Sequence, residues 1–556
     1  MKTQCKISSL KFNDGFELKI SPNDIVVFVG ANNCGKTQSL KDIERAFISR
    51  EHGIVVKEIT YTIRNPQFFE EELKSVSSFN KHNNHYSGFG YSLYSGGLPQ
   101  LTEHSLGNSE LSKYFIKRLE TRDRLGLCNP INTIDRDEPK SHPLHYIVNN
   151  KDLREQIDFS FYSAFGQHLQ LERFGGRTNF LRIGDNIPRL NNADCTLDAD
   201  IDHTNAVMNT YPKLHEQGDG MVSFTGVLLS LLIPHYSIHL LDEPEAFLHP
   251  PQSRILGSVI PGLLQEKQAF ISTHSEHFIK GLLEVAPERV KVIRIARTGD
   301  NNTFSIIDNK KISEIWNDTL LRQSNIFQGL FYDSVVICES DSDCQFYSLM
   351  HSFLNEKKGF KDRPFYVYSS TKSRMKVIVN ALRPLNVSMR VVADLDLLRE
   401  KSDAKLLLES CGGVWKDIDD DYTLFSSALK DDKNTISKDE LKQLFVKLVD
   451  LTNREEYDKV ALKELKSQLS LEHKWKALKE YGINALPEKA KEPFEKINAA
   501  FIAKNIHLVP KGQLEGFVPS VKGHGPRWVT SVLEQYPDFN DKIYADTLSF
   551  IESWHI

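Results

Sequence analysis

The sequence predicts an α/β protein with two domains, each organised around a parallel β-sheet. The chain has 556 residues, which is enough for two or more separate hydrophobic cores. Apolar strand-like runs alternate with helical stretches in the N-terminal half, and the same alternation restarts near Leu330. We therefore predict a first domain at residues 1–320 and a second domain at residues 330–556.

The first domain begins with short alternating strands and a β-branched run, DIVVFVG, at residues 24–30. Such a run is typical of a strand that is buried on both faces, and here it leads into a glycine-bearing turn and a helical stretch. From Val222 onward, VSFTGVLLSLLIPHY predicts a buried helix, and SIHLLDEPE and QAFISTHS predict two more strands. Residues 65–150 are rich in Asn, Ser, Gly and His, and we interpret them as inserted loops.

The second domain contains three strand-like runs, DSVVICESDSD, PFYVYSS and MRVVADLD, with helical stretches between them. Residues 403–505 are rich in Lys and Glu and predict a helical insertion. Within it, one helical face carries five apolar residues: Leu441, Leu444, Phe445, Leu448 and Val449. Such a helix is either an ordinary solvated surface helix or a contact for nucleic acid or a partner, and the charge pattern leaves both readings open.

Composition is that of an ordinary globular protein, with 26% charged and 40% hydrophobic residues. The net charge of −5 does not exclude nucleic-acid binding, because a local basic groove can coexist with an acidic total. The seven cysteines are scattered without a C-x-x-C pair, which argues against a zinc site and a disulfide framework. Without a long apolar run or a signal-like N-terminus, we expect no membrane span and a cytoplasmic protein.

A phosphate-binding loop follows the first buried strand. The segment GANNCGKT, from Gly30 to Thr37, matches G-x-x-x-x-G-K-[ST] and lies between a strand and a helix. Its glycines and the loop residues Asn32 and Asn33 would turn backbone N–H groups toward phosphates, at the positive end of a helix. Lys36 would reach the β- and γ-phosphates, and the Thr37 hydroxyl would ligate Mg²⁺. A chance match is hard to reconcile with this strand–loop–helix context.

Two further segments predict the remainder of an ATP site. Asp242 ends an apolar strand, where its carboxylate would hold Mg²⁺, and Glu243 would polarise the attacking water. His274 ends another strand about thirty residues later and would contact the γ-phosphate. Alone, such a histidine is more often an ordinary core or capping residue; after Asp-Glu-Pro-Glu we favour the functional role. The sequence thus predicts ATP and Mg²⁺ as cofactors.

Carboxylates collect at two strand ends of the second domain. Glu339 and Asp343 follow the first strand, and Asp394, Asp396 and Glu400 follow another. Because the carboxyl ends of parallel strands meet at one edge of a sheet, these groups would converge and would need a cation. Hard oxygen ligands predict Mg²⁺ or Mn²⁺, which can activate water for phosphodiester hydrolysis. Any one of these acids alone would more commonly be a solvated strand-end carboxylate.

The nucleotide motifs resemble those of the ABC/SMC-like ATPases. In that family two heads close around ATP, and each contributes a signature loop to the other. The matching segment here is QGDGM at residues 217–221, which contains Gly218 and Gly220 and departs from the usual LSGGQ. The resemblance implies ATP binding by Gly218 and Gly220 in a partner head, and therefore a homo-oligomer, a dimer or higher.

The acidic pattern, a Glu at one strand end and Asp-x-Asp at the next, resembles the TOPRIM fold of topoisomerases, primases and nucleases. An ABC-type ATPase head followed by TOPRIM is similar to the OLD (overcoming lysogenization defect) family, including the nuclease subunit of Gabija systems and retron-associated effectors. The resemblance implies a phosphate contact for Lys372, a scissile-phosphate role for Lys511 and metal ligation by Glu515. Ser340 departs from the glycine that usually follows the TOPRIM glutamate.

From this resemblance we expect an ATP-binding, metal-dependent endonuclease that cleaves DNA in anti-phage defence. Its catalytic residues would be Glu339, Asp343, Asp394, Asp396 and Lys511, with Glu243 serving ATP hydrolysis. The family also implies partners such as a helicase-like subunit, or a reverse transcriptase with its RNA–DNA product.

Three alternatives bear on this expectation. The chain could be an ATPase whose second domain mainly docks nucleic acid or a partner. A topoisomerase would need a catalytic tyrosine domain, for which no segment fits, and a primase would normally carry a zinc module, for which there is no cysteine cluster.

Overall fold

The computed structural model divides into two compact units, Met1–Phe331 and Tyr332–Ile556. It describes residues 2–97, 106, 109–135, 138, 140–148, 150–172, 177–185, 208–299, 301–306, 326–359, 363–385, 387–429, 441–443, 445–446, 449 and 473–555.

The first unit is a mixed α/β structure. Its strands are β1 (Gln4–Phe12), β2 (Glu17–Lys19), β3 (Ile25–Val29), β4 (Val56–Arg64), β5 (Ser78–Asn80), β6 (His85–Gly88), β7 (Tyr91–Tyr94), β8 (Ile116–Leu119), β9 (Ile131–Asn132), β10 (His168–Glu172), β11 (Thr178–Gly184), β12 (Ile238–Asp242), β13 (Gln268–Ser272), β14 (Val290–Thr298) and β15 (Asn301–Ile306). Its helices are α1 (Lys36–Ser49), α2 (Phe69–Val76), α3 (Ser109–Lys113), α4 (Thr121–Gly126), α5 (Pro143–Val148), α6 (Lys151–Phe165), α7 (Asp219–Leu231), α8 (Pro250–Leu264) and α9 (Glu276–Val285).

A six-stranded sheet forms the centre of the first unit, in the order β15-β14-β3-β13-β12-β8. All neighbours are parallel except β15, which pairs antiparallel with β14. Every residue of β3 is buried, as its β-branched sequence predicts. Because β3, β12 and β13 are adjacent and parallel, the segments that follow them meet at one edge of the sheet, where the nucleotide motifs lie.

The interpretation of residues 65–150 as loops is wrong for their described part. That part contains helices and strands, including the hairpin strands β5, β6 and β7, and β8 is the edge strand of the central sheet. The polar composition obscured short strands in which only alternate residues are buried, such as Tyr91 and Leu93 in β7. Two further three-stranded antiparallel sheets, β2-β1-β4 and β10-β11-β9, complete the described sheets of this unit.

The second unit contains a parallel sheet in the order β17-β16-β18-β19. Its strands are β16 (Ser334–Cys338), β17 (Phe365–Tyr368), β18 (Ser388–Ala393) and β19 (Ile506–Leu508). Its helices are α10 (Asp341–Lys358), α11 (Lys372–Leu382), α12 (Lys401–Ser410), α13 (Asp419–Leu429), α14 (His473–Tyr481), α15 (Glu488–Ile502), α16 (Pro526–Gln535) and α17 (Ala545–Glu552).

Helices α12 to α15 occupy the described parts of the stretch between β18 and β19, where the sequence predicts a helical insertion. Of its predicted apolar face, Leu441, Phe445 and Val449 are exposed, whereas Leu444 and Leu448 lie outside the described residues. Among the described helices, none has the length and apolar character needed to cross a bilayer.

Candidate functional sites

The phosphate-binding loop is held in a conformation that requires glycine at its two ends. Gly30 has φ of +143°, and a Cβ there would lie 2.2 Å from the carbonyl oxygen of Ile295 on β14. Gly35 has φ of +110° and immediately precedes α1, whose first residue is Lys36. The loop therefore places backbone N–H groups at the start of a 14-residue helix, where the helix dipole favours an anion.

The Lys36 ammonium is already hydrogen-bonded inside the loop. It donates to the carbonyl oxygens of Gly30 and Ala31, at 2.9 Å each. Burial lowers the pKa of Lys36, while the nearby Glu243 and Asp242 oppose that shift. The side chain is thus held within the loop at the point where the motif requires a cation for phosphate.

Asp242 and Thr37 meet across the sheet edge. The Thr37 hydroxyl donates to Asp242 Oδ1 at 2.9 Å, and the Ser272 hydroxyl donates to the same oxygen. A hydroxyl and a carboxylate at this distance form the pair of ligands that Mg²⁺ uses beside a nucleotide. These residues come from α1, β12 and β13, which the sequence separates by up to 235 positions.

Glu243 and His274 lie next to this pair. Glu243 has φ of +45°, a conformation that a non-glycine residue adopts only when its surroundings enforce it. Its backbone N–H donates to the Ser272 carbonyl at 3.0 Å, and Arg124 donates to its carbonyl at 2.8 Å. His274 Nε2 is 3.4 Å from Glu243 Oε1, and burial lowers the pKa of His274 to about 4. A neutral imidazole beside a carboxylate suits the positioning of water.

These groups line a cleft of about 930 Å³. The residues shared with the sequence prediction are Asn32, Asn33, Gly35, Lys36, Thr37, Glu243 and His274. Further residues of the site were not identified from the sequence. Asn302 donates to the Cys34 carbonyl at 2.7 Å and so braces the loop, Arg124 braces Glu243, and Ile54 and Arg297 form part of the cleft wall. They are distant in sequence and carry no motif.

The segment at residues 217–221 does not line the cleft of its own chain. It leads into α7, with Gly218 exposed just before the helix. A Cβ on Gly220 would lie 2.8 Å from the Phe247 carbonyl, so this glycine permits close packing against the segment that follows Glu243.

In the second unit, three carboxylates converge. One oxygen each from Glu339, Asp394 and Asp396 lies within 4.8 Å of the others. Glu339 directly follows β16 and Asp394 directly follows β18, and these two strands are adjacent and parallel. We call these three residues the acidic trio.

Burial and mutual repulsion make the acidic trio a costly arrangement. Burial raises the pKa of Glu339, and the neighbouring Asp396 and Asp343 add to that shift. Burial likewise holds the pKa of Asp394 well above its ordinary value, with Asp343, Glu339 and Asp396 adding repulsion. Glu339 Oε2 is buried and has no hydrogen-bond partner. A donor set made only of carboxylate oxygens, one of them buried and unsatisfied, fits a hard divalent cation.

Asp343 and Glu515 form a second acidic pair beside the trio. Asp343 raises the pKa of Asp394 and is itself affected by Glu515, so the three charges are close. Asp343 Oδ2 accepts from the Ser340 backbone N–H at 2.8 Å in a capping box at the start of α10. Glu515 Oε1 accepts from Gly525 N at 3.1 Å. Ser340, the residue after Glu339, therefore serves as the N-cap of this helix.

Two other predicted site residues, Glu400 and Lys511, make different contacts. Glu400 is exposed just before α12 and is not part of the trio, because the 3₁₀ turn Leu395–Arg399 carries the chain away from the strand end. Lys511 Nζ is 2.5 Å from Asp546 Oδ2 of α17. Glu400 is therefore not among the three converging carboxylates, and the Lys511 ammonium is paired with Asp546; the metal role of Glu400 and the phosphate role of Lys511 stay predictions.

Two lysines contact the acidic trio instead. Lys372, the first residue of α11, pairs with Asp396 Oδ1, and Lys479 of α14 lies 3.4 Å from Asp396 Oδ2. The sequence prediction included Lys372 as a phosphate contact but did not include Lys479. No local motif surrounds Lys479, and 83 residues separate it from Asp396.

Comparison with known families bears on the first unit. Residues 149–280 match a family described as "AAA domain, putative AbiEii toxin, Type IV TA system". The match spans Asp242, Glu243 and His274. No curated protein matches the chain.

Solved structures similar to the chain include ATPase heads. An Smc head bound to the C-winged helix domain of ScpA has 11% identity and a TM-score of 0.34, with 56% of this chain and 99% of that chain covered. The SMC head domain from Thermotoga maritima has 10% identity and a TM-score of 0.30, covering 55% and 100%. A nucleotide-free ATP-binding cassette from an ABC transporter has 11% identity and a TM-score of 0.25, covering 58% and 98%. Likenesses at this level bear on neither the activity nor the partners of this chain.

The family match and the site geometry together define the class of the first unit. The AAA-domain match covers the segment that follows β12 and β13, and the phosphate-binding loop lies at the same edge of the sheet. The first unit is an ATP-binding ATPase domain of the P-loop class.

Proposed function

We propose that this protein is an ATP-binding, divalent-metal-dependent endonuclease that cleaves DNA, with the nuclease site in the second unit. The observation that supports this most directly is the acidic trio, with three carboxylate oxygens within 4.8 Å of one another. Surface acids repel and spread apart, whereas these lie at adjacent strand ends and retain a buried, unsatisfied oxygen. A magnesium or manganese site is the simplest reason for such an arrangement.

Glu339, Asp394 and Asp396 would hold one ion, and Asp343 with Glu515 would contribute to a second ion beside it. Such ions activate water and stabilise the leaving oxygen of a phosphodiester. The chain's own groups would orient the substrate: Lys372 offers an ammonium group at the edge of the trio, where a nucleic-acid phosphate would lie. This second unit corresponds to the TOPRIM domain that the sequence resemblance implies.

In the first unit, Lys36, Thr37, Asp242, Glu243 and His274 would bind and hydrolyse ATP with Mg²⁺. The exposed start of α7, with Gly218 and Gly220, would complete the site of a second copy, so we infer a homo-oligomer that closes around nucleotide. ATP binding would then regulate cleavage.

We further propose a role in bacterial anti-phage defence, as the OLD-family resemblance implies. The description of the matched AAA family, "putative AbiEii toxin, Type IV TA system", is compatible with this role. A helicase-like subunit, or a reverse transcriptase with its RNA–DNA product, would be the corresponding partner.

The test is cleavage of supercoiled plasmid by the purified full chain with Mg²⁺ or Mn²⁺. Glu339→Gln keeps the side-chain shape and removes the charge, and the matched control Glu534→Gln changes an exposed acid of the same unit. We expect wild type and the control to cut and Glu339→Gln not to cut. Full activity in EDTA, or equal activity of all three proteins, would reject a nuclease site at the trio. Intact plasmid in every condition would favour the docking alternative.

A further inference from the structure

Lys479 occupies a position at the nuclease candidate site that the sequence motifs do not assign. It lies on α14, and its ammonium is 3.4 Å from Asp396 Oδ2, while Lys372 pairs with the other oxygen of the same carboxylate. Both ammonium groups thus lie at the carboxylate of Asp396, one of the three members of the trio.

The backbone around Lys511 lies close to Lys479, but the two side chains contact different acids. A Cβ on Gly512 would lie 2.3 Å from the Lys479 carbonyl oxygen, so α14 packs directly against the segment that carries Lys511. The two ammonium groups nevertheless diverge: that of Lys511 pairs with Asp546, and that of Lys479 reaches Asp396. Lys511 is held by an acid of α17, outside the trio.

The side chain of Lys479 is suited to a mobile phosphate contact. It is 46% exposed, and it shares Asp396 with Lys372. A lysine carries its charge on a flexible four-carbon stem and can change partners without backbone movement. A metal ion bound by Asp396 would displace the ammonium groups of Lys372 and Lys479 from that carboxylate. The displaced ammonium groups could then pair with a phosphate of the bound nucleic acid.

From this geometry we propose that Lys479 is a phosphate-contact residue for nucleic acid at the acidic trio, in the role that the sequence resemblance gives to Lys511. The inference rests on the proposed nuclease function. It makes α14, a helix within the insertion between β18 and β19, part of the nucleic-acid surface.

The test measures binding of a DNA duplex to the full chain, with Ca²⁺ in place of Mg²⁺ and with gels that verify intact DNA. Three variants are compared with wild type: Lys479→Met, Lys511→Met, and the control Lys476→Met, which changes an exposed lysine of the same helix. Dissociation constants are measured across a range of salt concentrations. Loss of one phosphate contact lowers the slope of log affinity against log salt by about 1. We expect that loss for Lys479→Met, and the wild-type slope for Lys476→Met.

A wild-type slope for Lys479→Met overturns the inference, and so does an equal loss in Lys476→Met, which would indicate a diffuse charge effect. Loss in Lys511→Met alone would restore the sequence-based assignment. Each of these three outcomes concerns only the lysine variants. Wild type still binds and cuts DNA in all of them, so the proposed nuclease function is retained. If wild type neither binds nor cuts DNA with any divalent ion, the proposed function fails and the inference with it. Unchanged ATP hydrolysis and thermal unfolding confirm that each variant is folded.

Discussion

The phosphate-binding loop and the acidic trio both bury charge, but they compensate it in different ways. In the loop, the Lys36 ammonium donates to two carbonyl oxygens, and Asp242 accepts from two hydroxyls. In the trio, three carboxylates face one another, and Glu339 Oε2 has no hydrogen-bond partner. The hydrogen-bonding groups of the nucleotide site thus find partners within the protein, whereas the acidic trio brings like charges together.

This difference indicates how far each site is preorganised. The protein alone fixes the loop, so nucleotide binding should depend on the loop's backbone and on a few side chains. The trio is stabilised only when positive charge is present, from Lys372 and Lys479 or from a cation. Substitutions at the two sites should therefore differ in size and in their dependence on divalent ions.

The largest effect is expected for Asp394→Ala. Loss of a group that merely supports a metal ligand typically costs about 10–100-fold, so loss of a direct ligand should lower DNA cleavage by more than about 100-fold. ATP hydrolysis should remain, since the two sites lie in different units. Parallel assays of plasmid cleavage and phosphate release check this. Loss of ATP hydrolysis with normal cleavage would reverse the assignment of the two sites.

The next effect concerns Lys36→Ala in the loop. A hydrogen bond to a charged group is worth about 1.5–3 kcal/mol, so ATP should bind about 10- to 150-fold more weakly. Titration with a fluorescent ATP analogue measures this, with Lys41→Ala, on the same helix, as control.

Glu243→Gln should bind ATP normally and hydrolyse it slowly. If the heads close around ATP, Glu243→Gln with ATP should also elute as a larger species than Lys36→Ala; equal elution at all ATP concentrations would argue against closure.

A smaller effect is expected where the two sites communicate. Couplings between separate sites typically amount to about 1–3 kcal/mol, or about 5–150-fold. Saturating ATP should therefore change the cleavage rate of wild type at least several-fold, with inhibition the favoured direction, and should leave Lys36→Ala unaffected. Free Mg²⁺ must be held constant because ATP chelates it. If wild type is indifferent to ATP, the units are tethered without regulation.

The smallest effect concerns a partly buried lysine of the first unit, Lys267, which donates to the carbonyls of Leu231 and Ile233 at 2.7 and 2.8 Å. Burial lowers its pKa from 10.5 to about 7. Between those pH values the unfolded chain binds a proton that the folded chain does not, so stability should rise with pH there. The slope is at most about 1.4 kcal/mol per pH unit for one proton. Urea unfolding at pH 7, 8 and 9 should show a smaller rise for Lys267→Met than for wild type; equal rises would mean that Lys267 stays charged.

Much of the fold follows from sequence patterns. The buried run at residues 24–30 and the strands that end at Asp242 and Ser272 are recognisable because a strand buried on both faces is mostly apolar. The hairpin strands within residues 65–150 were missed, because short half-buried strands have too few apolar residues to stand out from a polar loop.

The sequence alone determines the elements whose function depends on neighbouring residues. The loop from Gly30 to Thr37 is one, because its backbone angles and the helix after it are local properties. The carboxylates at the ends of β16 and β18 are recognisable as well, because each directly follows a strand, whereas the pairing of these two strands belongs to the tertiary structure.

Only the tertiary structure decides which distant side chains complete each site. Asn302 and Arg124 brace the nucleotide site, Lys479 reaches the trio, and Lys511 is paired with Asp546. Glu400 leaves the trio although only four positions separate it from Asp396. These outcomes depend on the packing of helices and the direction of long side chains, which sequence spacing does not specify.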